Sequence, residues 1–215
     1  MNLAFLRVVF AALCLGLVWS APARAELEPG KQYILISPPQ PAESGKNVEV
    51  LEFFSYACPH CNDLEPVLNP WVKKLPGDVT FRRIPAVFSE KWAVLARVFY
   101  AAEALGQLDR LHPAIFKAIH VDRIDLTNEK ILQEWIGKNG IELKKFMDAY
   151  NSFAVTGKAQ RAKQLTRAFA ITGVPSLVVD GKYLTSASQT GSNEKMLPVL
   201  DDLIKKARQE RGGKN

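Results

Sequence analysis

Cys58 and Cys61 carry the most direct chemistry in this chain. They stand in Cys58-Pro59-His60-Cys61, where a mostly apolar run, residues 48–55 (VEVLEFFS), gives way to a helical pattern. A cysteine at a helix start faces outward-pointing N–H groups and the positive end of the helix dipole. Its thiolate is favoured and its pKa falls. The second cysteine lies one turn further in and is more shielded. His60, beside Cys58, favours the thiolate again by charge or by its N–H. A stable thiolate leaves readily, which is what thiol–disulfide exchange requires, and it makes the disulfide form oxidising.

Other uses of the pair fit less well. Structural zinc takes four ligands, normally a second cysteine pair or a histidine pair. His112 and His120 have no matching spacing, and their helical context places them on helix surfaces; no metal is expected. A c-type haem attachment needs His directly after the second cysteine, where Asn62 stands. An inert disulfide across so small a loop would remove little chain entropy, and it is the plain alternative to redox exchange.

The pair must be aimed by the elements around it. Residues 48–55 read as a strand covered on both faces. Within it Glu52, six residues before Cys58, should point inward; an ordinary surface carboxylate is the plain alternative to a buried acid near Cys61 that modulates proton movement. Arg82 or Arg83 on the next strand could be its basic partner. Residues 58–75 read as a helix, with Leu64, Val67, Leu68, Trp71 and Val72 at helical spacing. Pro59 suits its first turn, and Pro66 and Pro70 predict a kink.

A short strand is expected over residues 31–36 and another over 79–84. Helical patterns fill residues 91–170, with Thr127 as an N-cap and Gly140 just past a helix end. Strand character returns at residues 176–179, followed by an Asp180-Gly181 hairpin turn and a partner strand at 182–185. A last helix covers residues 193–209. Val174-Pro175 opens the first strand of that hairpin; a cis peptide there would leave neighbouring backbone free to pair with a bound peptide. The fold class is α/β, a mixed central sheet with an inserted helical subdomain.

The N-terminus has a different use. Arg7, an apolar run over residues 8–19 and Ala23-Arg24-Ala25 make a secretory signal pattern. The run is short of the roughly 20 residues that span a bilayer, so cleavage before Glu26 is expected rather than anchoring. The domains are then residues 1–25 as leader, 26–88 and 171–215 as two parts of one domain, and 89–170 as the insertion. Cleavage takes Cys14 with it and leaves Cys58 and Cys61 as the only cysteines of the mature chain. A net charge of about +4 remains, without a dense basic tract before the C-terminal tail, so nucleic acid is not an expected partner.

Together these residues resemble the thioredoxin superfamily, and within it the DsbA-like periplasmic disulfide oxidases. The matching parts are Val50-Leu51-Glu52-Phe53-Phe54-Ser55 leading into Cys58-Pro59-His60-Cys61, the Gly173-Val174-Pro175 turn, Asp180-Gly181-Lys182-Tyr183 and the helical insertion. The resemblance implies a thioredoxin-like fold in which Cys58 forms mixed disulfides and Cys61 is its buried partner. It implies that Pro59 and His60 tune the redox potential, that Glu52 is the buried acid, and that Val174 and cis-Pro175 flank the substrate peptide. It implies newly exported unfolded proteins as substrates and a membrane-bound, quinone-linked, DsbB-like oxidase as the reoxidant. No metal or organic cofactor is implied. Isomerases of the superfamily carry a dimerisation segment for which the sequence offers no counterpart, so a monomer is expected. A reductase or isomerase on the same scaffold, or a non-catalytic peptide-binding chaperone module, are the competing functions.

Overall fold

Val48–Phe54 forms β2, and all seven residues are buried. Its apolar side chains divide between the two faces at period two. Val48 and Val50 pack with Leu64 and Leu68 and with Met196, Leu200 and Leu203. Leu51 and Phe53 pack against the helical insertion with Phe99, Ile115 and Phe169. Five apolar residues at roughly 1.5–3 kcal/mol each outweigh the cost, roughly a few kcal/mol, of holding Glu49 and Glu52 in the same strand. The computed structural model describes residues 27–212; residues 1–26, with the expected leader and Cys14, and the last three residues lie outside the described residues.

The sheet has five strands in the order β1-β5-β4-β2-β3. These are β1 (Ile34–Leu35), β2, β3 (Val79–Pro85), β4 (Ser176–Val179) and β5 (Tyr183–Thr185). β3 runs parallel to β2, and β4 antiparallel to it. The first helix, α1 (Pro59–Val72), follows β2, and α2 (Glu90–Ala104), α3 (Leu108–His120), α4 (Glu129–Lys138), α5 (Leu143–Tyr150) and α6 (Phe153–Ala168) lie between β3 and β4. After β5 come α7 (Ala187–Thr190) and α8 (Asn193–Gly212). The mixed sheet and the helical block between its halves match the expected architecture.

Several local expectations are corrected. The strand expected over residues 31–36 shrinks to Ile34–Leu35, because it pairs on one side only, with β5, and prolines follow at once. Helix α1 covers Pro59–Val72, shorter than the expected residues 58–75, with Pro66 and Pro70 inside it. The N-cap of α4 is Asn128, not Thr127: the Thr127 hydroxyl turns back to donate to Asp125, and the Asn128 side chain accepts from the Ile131 N–H at 3.2 Å. Gly140, at φ 68°, does follow that helix. The four-residue α7 was not anticipated; it is too short to show a periodicity.

The β4–β5 hairpin turns on Asp180-Gly181, both at positive φ, as a two-residue turn of this hand requires. A Cβ on Gly181 would lie 1.9 Å from the Gln40 carbonyl oxygen. Gly181→Ala is therefore expected to destabilise by about 2–4 kcal/mol, more than left-handed backbone alone would cost. Urea unfolding of the variant measures it; a loss within about 0.5 kcal/mol would mean the Gln40 loop gives way freely.

Candidate active site

Cys58 caps α1 with extended backbone (φ −94°, ψ 117°), and Pro59 takes the first helical position, where its missing N–H is harmless. Pro59 and His60 are exposed. Cys58 is 8% exposed and Cys61 not at all; both are free thiols. Strand register then brings the other wall. Phe53 pairs with Ser176 across β2 and β4, so the residues before Ser176 meet the turn after β2. The Val174-Pro175 peptide is cis, and the Val174 carbonyl oxygen lies 3.4 Å from Cys58 Sγ. A cleft of about 400 Å³ opens alongside, lined by His60, Thr172, Val174, Pro175, Ile34 and Leu184.

The two sulfurs differ in acidity. The thiol of Cys61 hydrogen-bonds to Cys58 and is the largest cause holding the Cys58 pKa down at about 6, against an ordinary 9.0. Burial opposes this, while the Cys61 and His60 backbone N–H groups and the His60 charge add to it. The helix start and His60, which the sequence puts first, are therefore second to Cys61. Burial drives the Cys61 thiol far above its usual range, and the charge of Cys58 adds to that. The Ser55 N–H approaches its sulfur at 3.5 Å.

Glu52 is fully buried. It stands opposite Arg83 in the β2–β3 register, and Arg83 Nε lies 3.0 Å from its Oε2. The contact is not an aligned hydrogen bond, and neither oxygen of Glu52 has one. Burial pushes its pKa up to about 8; Arg83 offsets part of that, and the Glu65 charge adds to it. Arg82, the other expected partner, serves instead Glu49 at 3.3 Å and Glu43 at 2.8 Å, on the opposite face of the sheet.

Glu65 and Tyr56 join this cluster and went unread in the sequence, and His112 joins it against the expectation of a helix surface. Glu65 on α1 is buried; it accepts from Asn69 Nδ2 at 2.8 Å and lies 3.6 Å from Arg83 Nη2. Tyr56 is 1% exposed, with its hydroxyl 2.8 Å from His112 Nδ1. His112 is not a helix-surface residue, and His120 is half-buried. His112 is buried, with Nε2 3.2 Å from Glu65 Oε1, and His120 Nε2 sits 2.8 Å from the Tyr56 carbonyl oxygen. A signal existed: His112 precedes Ile115 by three and Phe116 by four, and so shares the buried stripe of α3. Among the described residues no group of three or more His, Cys, Asp or Glu side chains could hold a metal ion.

The arrangement can exchange disulfides: an acidic sulfur at the mouth of a cleft, a shielded sulfur behind it, and a protonatable carboxyl in the dry interior. Comparisons with known proteins point the same way. A family model described as "DSBA-like thioredoxin domain" matches residues 83–198. The chain is 37% identical over 202 residues to the thiol:disulfide interchange protein DsbA of Pseudomonas aeruginosa, covering 94% of this chain and 96% of the relative. It is 40% identical to that of Burkholderia cepacia over 93% of each chain. Among solved structures, Pseudomonas aeruginosa DsbA superposes with a TM-score of 0.82 at 38% identity, over 86% of this chain and 96% of that one. The oxidoreductase DsbA from Xylella fastidiosa gives 0.79 at 30% identity, over 85% and 98%.

Proposed function

The chain belongs to the DsbA-like thioredoxin-domain family, and on that footing we propose that it is a periplasmic thiol:disulfide oxidoreductase that donates a Cys58–Cys61 disulfide to newly exported, unfolded proteins. The observation that carries this reading is the asymmetry of the two sulfurs, one acidic at the cleft and one buried and basic.

The exchange runs in two displacements. A substrate thiolate attacks Cys58 Sγ; the Cys58–Cys61 bond breaks, and Cys61 leaves and takes a proton, for which the buried acid Glu52, whose charge bears on Cys61, is the source in this reading. A second substrate thiolate then attacks the substrate sulfur of the mixed disulfide and expels the Cys58 thiolate. The low Cys58 pKa makes it a good leaving group and favours the reduced enzyme. The substrate has lost two electrons and the enzyme has gained them. Pro59 and His60 set the exposed backbone and charge around Cys58, while Val174 and Pro175 present the carbonyl edge beside which a substrate strand lies. Reoxidation falls to a membrane-bound, quinone-linked oxidase, and the protein works as a monomer without a cofactor.

Equilibrating the Cys58–Cys61 pair against glutathione tests the reading. The reduced form should dominate under mildly oxidising glutathione, and the oxidised protein should unfold at lower urea. A Cys58 thiol titrating near the ordinary value of about 8.5, or an oxidised form more stable than the reduced one, would point to a reductase. Repair of a scrambled-disulfide substrate would point to an isomerase.

A further inference from the structure

The buried cluster behind Cys61 holds more than the exchange reaction as described uses. Two carboxyls, Glu52 from β2 and Glu65 from α1, share one guanidinium, Arg83 from β3. One cation beside two buried acids leaves a proton on one of them, since two buried carboxylates so close do not both ionise. Which acid keeps it depends on their donors. Glu52 has only the misaligned Arg83 contact. Glu65 accepts an aligned hydrogen bond from Asn69 at Oε2, and its Oε1 faces two further cationic or polar edges, His112 Nε2 at 3.2 Å and Arg83 Nη2 at 3.6 Å, neither as an aligned hydrogen bond.

His112 is itself held. Its Nδ1 faces the Tyr56 hydroxyl at 2.8 Å, and its ring lies edge-on to Phe54 and Phe116. With Tyr56 O–H donating to Nδ1, the neutral ring carries its hydrogen on Nε2, which lies 3.2 Å from Glu65 Oε1 without forming an aligned hydrogen bond. Burial holds the His112 pKa low even though Glu65 raises it, consistent with a neutral ring. The Arg83 charge lowers it further, and Asp109 on its own helix raises it. Burial pushes Glu65 up, but His112, Arg83 and Asn69 bring it net below the usual carboxylate range.

We propose that His112, gripped by Tyr56, is a positioning residue for disulfide exchange: by setting its Nε2 edge against Glu65 it keeps the charge of the acid pair on Glu65 and the proton on Glu52. The charge of Glu52 bears on Cys61. The inserted helices thereby control a proton that the sheet delivers. The inference rests on the exchange reading above, because the proton matters only when Cys61 leaves as a thiolate.

The test is a ¹³C NMR titration of the glutamate carboxyls in the oxidised protein, with Glu52→Gln to assign the signal. His112→Leu removes the donor. Glu52 should then titrate lower by about one pH unit, with Glu65 moving up, as the proton redistributes. His112→Gln can donate to Glu65 and accept from Tyr56, and should leave Glu52 at its wild-type position. Tyr56→Phe keeps the ring packing and should shift Glu52 the same way as His112→Leu, by less. An unmoved Glu52 in His112→Leu, or a His112→Gln that moves as far, overturns the proposal. Should His112→Leu fail to fold, an unmoved Glu52 in Tyr56→Phe overturns it. Exchange with a dithiol peptide is followed in parallel. A wild-type protein that does not exchange refutes the functional reading itself, whereas exchange with an unmoved Glu52 refutes this inference alone.

Discussion

Cys58→Ser is expected to reduce exchange to the uncatalysed rate, whereas Cys61→Ser is expected to yield a protein that captures disulfides and cannot release them. The difference follows from access and acidity. Cys58 borders the cleft and is a thiolate over much of the neutral range, with its pKa near 6; a serine hydroxyl there is neither ionised nor able to form a mixed disulfide. Cys61 is fully buried and its thiol is driven up by burial, so it cannot substitute as the attacked sulfur. In Cys61→Ser the Cys58 thiolate still attacks oxidised glutathione, forming a Cys58–glutathione disulfide and expelling one glutathione thiolate. No neighbouring thiol remains to resolve the adduct. Cys61→Ala forms the same adduct and, having no donor at 61, loses the foremost cause of the low Cys58 pKa, which should rise toward 9; the serine hydroxyl keeps a donor there and should shift it less. Intact mass and thiol titration read both effects. Residual oxidase activity in Cys58→Ser would show that binding or another group carries the function, and a Cys61→Ser protein that forms no adduct would refute the assigned order of the sulfurs.

The residues behind these expectations differ in how far the sequence reveals them. Cys58 to Cys61 is a local pattern, and helix-start chemistry is local too, so its geometry can be read from four adjacent residues. Glu52 was legible for a similar reason: period two in a doubly covered strand leaves an acid no route to water. Glu49, buried on the other face, obeys the same rule and went unread. Glu65 and His112 are different. Each is a polar residue in an amphipathic helix, where a solvent-facing position is the ordinary reading. What buries them is a meeting of α1, α3 and β3 that is set by packing across more than forty residues of chain. Val174-Pro175 was visible as an awkward proline at a strand start, but its closeness to Cys58 depends on the antiparallel β2–β4 register, which the chain order alone leaves open.

Reduced and oxidised protein are expected to diverge in stability as pH rises from about 6 to about 9. The Cys58 pKa in the folded reduced protein is depressed to about 6 from 9.0. Between those values the unfolded chain binds the extra proton, so stability increases with pH. The contribution is absent below about 6 and complete above about 9, and the oxidised form, having no thiol, lacks it. Three pH units correspond to at most about 4 kcal/mol; the sulfur is partly open to water, so about 2 kcal/mol is the expected gap. Glu52 acts in the opposite sense. Its folded pKa is raised from 4.5 to about 8, the folded state holds the extra proton between them, and stability from this group is lost as pH climbs through that range. This descent is common to both redox forms and cancels in their difference. Glu52→Gln mimics the neutral acid and should flatten the descent in both curves while leaving the gap between them. Urea unfolding of the two forms from pH 5 to 9 checks each part. A reduced-minus-oxidised difference that does not grow with pH would mean Cys58 is not the acidic sulfur. A Glu52→Gln curve that still falls between pH 5 and 8 would assign the buried proton to another group.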